Sequence, residues 1–167
     1  MDFGFNFGDN RCLIMFKVNI VTVGKVKEPY FEAAVNEYKK RLSRFCDLTL
    51  TECKEQSLEG VSPDVALERE SEEILKKLKG YIVVLAIEGE FLSSEKFAEN
   101  LQKIKDAKGE VSFVIGSSCG LSDKIKNRAD LKISFSKMTF PHTLFRVMLF
   151  EQLYRAFMIS SNAKYHK

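Results

Sequence analysis

The sequence predicts an α/β fold: a single domain with a mostly parallel sheet flanked by helices. Three observations lead to it. Short runs rich in Val, Ile and Leu alternate with amphipathic segments between Phe16 and Phe135, which is the pattern of strand–helix–strand units. Two of the runs, Tyr81–Ile87 (YIVVLAI) and Val111–Ile115, are almost wholly apolar and flanked by glycines, as strands covered on both faces are. No internal repeat, low-complexity linker or second compositional regime divides the 167 residues, enough for one domain with a real core.

Taken in order, Phe16–Val23 reads as the first strand, and Gly24, Lys25 and Lys27 make a basic turn before Pro29. Tyr30–Cys46 is an amphipathic helix with Phe31, Ala34, Val35, Tyr38, Leu42 and Phe45 on its inner face. Lys39, Lys40, Arg41 and Arg44 lie on the outer face, as a solvated surface or as an RNA-facing one. Leu48–Cys53 alternates as a second strand. Ser62-Pro63 opens a helix through Leu67, Ile74, Leu75 and Leu78 that stops at Gly80, a cap, early-proline and terminal-glycine sequence. After the Tyr81–Ile87 strand, Ser93 or Ser94 caps a helix carrying Phe97, Ala98, Leu101 and Ile104. Val111–Ile115 follows, then the loop Gly116-Ser117-Ser118-Cys119-Gly120. Ser122 caps a short helix to Ala129, and Leu131–Phe135 is the last strand.

A polar turn, Ser136–Thr139, leads into a long final helix, with Thr139 as its expected cap and Pro141 early in it. Glu151, Gln152 and Arg155 share one narrow polar face, and Arg146 falls roughly opposite, among apolar residues. A helix apolar on most sides needs neighbours on most sides. The neighbour is either a second copy of the chain or the rest of a monomer's core, and periodicity leaves both open. On the first reading Phe150 lies at the interface.

The net charge of +3, from 26 basic and 23 acidic residues, is too mild to indicate nucleic acid by itself. Four cysteines show neither a CxxC nor zinc-ligand spacing with the two histidines, so reduced thiols, no metal and a cytoplasmic location are expected. No stretch reaches membrane-spanning length. Residues 1–14 show no period and no secretory pattern; they read as an N-terminal extension with Met15 as the functional start, or as an arm packing its phenylalanines on the surface.

In open α/β sheets ligands gather beyond the carboxyl ends of strands. Three such ends look equipped: Leu85–Gly89, Gly116–Gly120 and Ser136–Phe140. Gly116–Gly120 is neither a dinucleotide fingerprint nor a phosphate-binding loop, since it lacks the third glycine of one and the Gly-Lys-Ser/Thr of the other. Cys119 has no histidine nearby in sequence to activate it as a nucleophile.

SFSKMTFPH (134–142), EQLYRAF (151–157) and a terminal YHK (165–167) together resemble the C-terminal signature of the RlmH family, SPOUT-class methyltransferases acting on a pseudouridine of large-subunit (23S) ribosomal RNA. The resemblance runs from about Met15 to Lys167, marking 15–167 as a SPOUT methyltransferase domain. It implies a C-terminal trefoil knot, a homodimer through the final helix, S-adenosylmethionine as cofactor, and methyl transfer to N3 of a pseudouridine in free rRNA or the assembled ribosome. A non-catalytic ribosome-binding module of the same fold, or a methyltransferase with another RNA target, are the alternatives.

The resemblance also implies site residues. Leu85, Gly116, Ser117, Phe135, Ser136, Lys137, Met138, Thr139 and Phe140 would bind the cofactor. His166, Tyr165, Arg155 and His142 are the catalytic candidates, with the tail of one subunit reaching the pocket of the other. His142 reads equally as a structural histidine. A few local cations such as Lys25, Lys27, Arg146 and Arg155 would meet phosphates. Two positions depart from the family pattern. Ser117-Ser118 stands where the family usually has Gly-Pro, so Ser117 lacks a glycine's backbone freedom. Ala86 stands where an acid is usual, leaving a ribose contact to Glu88 or backbone.

Overall fold

The computed structural model describes residues 15–163 and Tyr165; the extension 1–14 with Cys12, and Lys164, His166 and Lys167 of the tail, lie outside the described residues. Strands and helices alternate as β1 (Lys17–Val23), α1 (Pro29–Leu42), β2 (Asp47–Cys53), α2 (Pro63–Leu75), β3 (Tyr81–Phe91), α3 (Ser94–Lys108), β4 (Glu110–Ile115), α4 (Asp123–Arg128), β5 (Leu131–Ser134) and α5 (His142–Ser160). The five strands form one parallel sheet in the order β2-β1-β4-β3-β5.

Both faces of the sheet are covered, which explains the continuous apolar runs. α1, α3 and α5 pack on one face, over Val18, Ile20, Val83, Phe113 and Ile133. α2 and α4 pack on the other, over Val21, Val23, Ile82, Val84 and Val114. Successive residues of one strand thus feed opposite cores.

Several boundaries differ from the sequence reading. α2 stops at Leu75 with Lys76 as its C-cap, short of the expected Gly80. α1 ends at Leu42 rather than Cys46, because the amides of Phe45 and Cys46 both turn back to the Leu42 carbonyl so that Asp47 can bond Phe16 and start β2. β3 runs past Ile87 to Phe91, but its register on β5 slips: Leu85 and Glu90 both pair with Ile133, and the intervening residues bulge out. Gly89 makes that close approach feasible, since a Cβ there would stand 2.4 Å from the Ile133 carbonyl carbon. β5 stops at Ser134. Thr139 does not cap α5; Pro141 holds the cap position without a side-chain bond, since Thr139 lies in the turn before it.

α5 resolves the question of its neighbours in part. Arg146, Leu149, Phe150, Leu153, Ala156 and Phe157 are buried within the chain itself. Phe150, with no exposed surface, therefore belongs to the monomer core and not to a surface available to a second copy. Leu144, Val147, Met148 and Met158 remain only half-buried.

Candidate functional site

The carboxyl ends of β3, β4 and β5 enclose a cavity of about 770 Å³. Leu85, Gly116, Ser117, Phe135, Ser136, Met138, Thr139 and Phe140 all line it, so eight of the nine expected cofactor residues converge. Lys137 is exposed and is not among the lining residues. Leu85, Ile115, Leu121 and the Phe140–Phe145 pair, stacked at 6.3 Å, give apolar walls. The Ser134–Met138 turn is closed by its own side chains: Ser134 Oγ donates to the Ser136 carbonyl at 3.0 Å, and Ser136 Oγ accepts from the Met138 amide at 3.0 Å.

The Gly116–Gly120 loop is a tight turn. The Gly120 amide donates to the Ser117 carbonyl at 2.9 Å, and Gly120 sits at φ +85°. A Cβ on Gly116 would fall 2.2 Å from the Gly120 carbonyl oxygen, so no larger residue fits. Ser117 does not need the backbone freedom expected of a glycine, because among the described non-glycine residues only Asn162 has positive φ. Its hydroxyl instead donates to Glu70 Oε2 at 2.9 Å.

One wall carries charge. Glu88 and Lys126 both line the cavity and pair at 2.7 Å. The hydrogen bond from Lys126 holds the Glu88 carboxyl below the usual carboxylate range. His142 also lines the cavity. A Cβ built on Gly24 would be 3.5 Å from His142 Nε2 and 3.1 Å from Glu55 Oε2, so the β1 loop, Glu55 and His142 meet at one place.

Arg155 and Tyr165 are not at this cavity. Arg155 lies thirteen residue steps along α5 from His142, a span of roughly 20 Å. Arg155 is bound by Glu151 at 2.6 Å, and its guanidinium lies 5.2 Å from the centre of the Tyr165 ring, which meets Tyr154 edge-on at 4.8 Å. Arg146 is excluded as a phosphate contact: it is 1% exposed, paired with Glu52 and bonded to the Gly24 carbonyl. Lys25 and Lys27 are exposed. His166 lies outside the described residues.

Glu70 escaped the sequence reading, although a signal existed. It falls three residues after Leu67 and four before Ile74, on the stripe that helical periodicity places inside, and it is 3% exposed. Among the described residues no group of three or more His, Cys, Asp or Glu could hold a metal ion, and no helix is long and apolar enough to cross a membrane.

Residues 16–166 match a family described as "Predicted SPOUT methyltransferase". The chain is 50% identical over 154 residues to the Ribosomal RNA large subunit methyltransferase H of Caldicellulosiruptor saccharolyticus, covering 90% of this chain and 99% of that protein. It is 43% identical over 157 residues to the protein of the same name from Clostridium kluyveri, with the same coverages. Among solved structures it resembles a probable methylase family protein from Haemophilus influenzae Rd KW20, at TM-score 0.53 and 16% identity over 90% of this chain and 70% of that one, a likeness of fold alone.

Proposed function

Because the chain belongs to the SPOUT methyltransferase family, we propose that its cavity receives S-adenosylmethionine and that it methylates N3 of a pseudouridine in large-subunit ribosomal RNA. The chain is an S-adenosylmethionine-dependent RNA methyltransferase. The domain is 15–167, and its place of action is the cytoplasm, where ribosomes are.

The cavity suits that donor. Gly116 lets the turn close tightly against Gly120, the apolar walls accept an adenine, and loop amides and Glu88 offer partners for carboxylate and ribose. When bound, the sulfonium supplies an electrophilic methyl group. The chain's own task is to align the uracil N3 and to take its proton. His166 takes the imide proton or orients the uracil edge, Tyr165 stacks on a base, Arg155 holds a phosphate and His142 bonds at the lip.

One observation carries the arrangement of these groups. Arg155 and Tyr165 sit at the far end of α5 from the cavity of their own chain. They reach a cavity if a second copy packs on α5, where Leu144, Val147 and Met148 are half-buried. The catalytic site is thus composite, with donor residues from one subunit and tail residues from the other in a homodimer. The C-terminal segment also forms a trefoil knot. Supporting this, β5 lies at one edge of the sheet while Arg146 of α5 bonds Glu52 in β2 at the other. The chain between them must therefore cross the carboxyl end of the sheet.

Mass mapping of ribosomal RNA from a deletion strain tests the activity; a strain with every modified nucleotide intact would overturn it. His166→Ala, or loss of 164–167, should keep donor binding and abolish most methylation. A mixed dimer of a tail-deleted chain and a Gly116→Trp chain should regain one working site.

A further inference from the structure

In the family pattern that this chain resembles, position 118 is usually a proline. Proline fixes φ at the second residue of a turn and so stiffens it without any contact. Here Ser118 and Cys119 are the central residues of the Ser117–Gly120 turn, and neither has that restraint. The turn nonetheless has little room for error, since Gly116 and Gly120 nearly touch and Gly116, Ser117 and Ser118 all line the cavity.

Two carboxylates from outside the cavity hold it. Ser117 donates to Glu70 Oε2 at 2.9 Å, while Glu70 Oε1 accepts the Gln56 amide at 3.0 Å. Ser118 donates to Glu55 Oε1 at 3.1 Å. The Cys119 amide closes back on Ser117 Oγ at 3.3 Å. Glu70 is 3% exposed and makes no ion pair among the described residues, so these hydrogen bonds are what offset the loss of its hydration. A carboxylate so placed strongly favours the one Ser117 orientation that reaches it.

We propose that these serine–carboxylate bonds do here what proline does elsewhere, making Glu70 a positioning residue that shapes the turn for the methyl donor. The proposal rests on the reading of the cavity as the S-adenosylmethionine site. Glu70 itself does not line the cavity; it acts through Ser117. Glu55 acts likewise through Ser118, and because its other oxygen lies beside Gly24 it couples the donor turn to the β1 loop.

The test uses the full-length protein with and without S-adenosylmethionine. Ser117→Ala should speed exchange of the Gly120 amide in the ligand-free protein and weaken donor binding by calorimetry about tenfold, the scale of one lost hydrogen bond to a charged group. Ser117→Thr keeps the hydroxyl and should restore both. Ser118→Pro added to Ser117→Ala should recover most of the affinity, because the ring replaces the restraint. Glu70→Gln, which retains one acceptor oxygen, should fall between wild type and Ser117→Ala. Ser117→Ala binding the donor within twofold of wild type would overturn the proposal, even if exchange quickens, since Glu70 would then be a strut of α2 only. A wild-type protein that binds no donor would instead sink the reading of the cavity, and the exchange data would still decide whether Glu70 orders the turn.

Discussion

Arg146 on α5 and Glu52 on β2 meet at 2.5 Å across the carboxyl end of the sheet, and the arginine is 1% exposed while the glutamate side chain keeps 29% of its surface. The second arm of the guanidinium donates to the Gly24 carbonyl at 3.0 Å. The pair ties the last helix to the first two strands, beside His142. Its two members are not equivalent, because water reaches only one of them.

That asymmetry sets the outcome of breaking the pair. Glu52→Ala leaves a buried guanidinium with one carbonyl for company and should cost about 3 kcal/mol or more. Arg146→Met leaves a carboxylate that water can solvate, with a side chain of similar length in the core, and should cost less. Urea midpoints of the two variants check the order; a less stable Arg146→Met would show that Glu52 is not solvated on its own.

Phe150 and Met148 distinguish the core face of α5 from the face proposed to meet a second copy. Phe150 has no exposed surface and sits in the α1–α3–α5 core. Phe150→Ala should cost about 3–5 kcal/mol at any protein concentration. Met148 is half-buried in a single chain. Met148→Glu should leave the fold intact and shift sedimentation from dimer to monomer at micromolar concentration. A wild-type protein that sediments as a monomer would remove the composite site.

Gly116→Ala should abolish donor binding while leaving secondary structure intact. Its methyl group would stand 2.2 Å from the Gly120 carbonyl oxygen, inside the turn that lines the cavity. The neighbour is backbone and cannot rotate away, so the turn itself must open. Calorimetry reads the loss; full affinity in this variant would mean the turn moves aside freely.

Tyr165 provides a pH test of the tail. Burial first, then its hydrogen bond with Tyr38, push its hydroxyl from the ordinary value near 10 up to about 12. The folded state therefore favours the neutral phenol. Its contribution to docking is complete below pH 10 and is lost as pH rises through about 12. Ultraviolet titration of tyrosinate should show a late component in the wild type that Tyr165→Phe removes. Identical curves would show that the tail is not packed on Tyr154 in solution.

The parts legible in the sequence were those decided by neighbours along the chain. β-branched runs between glycines marked β3 and β4, and Ser62-Pro63 and Ser122 marked helix starts that the structure bears out through bonds to Val65 and Ile125. The cavity loops were legible because a strand's carboxyl end and its turn residues are contiguous. Glu70 was half legible: its position on an inner stripe was visible, but its partner, Ser117, lies 47 residues away.

By itself, then, the sequence determined the α/β alternation, the two-faced burial of the sheet and the three loops that line the cavity, because local propensity and hydrophobic period act over a few residues. Only the tertiary structure decided the strand order, the inward place of Phe150, the burial of Arg146 against Glu52 and the grip of Glu70 on the Ser117 turn. Each of those depends on groups brought together by packing, where loss of water makes a charge seek one partner and an aromatic ring seek the core, and no spacing along the chain encodes which partner arrives.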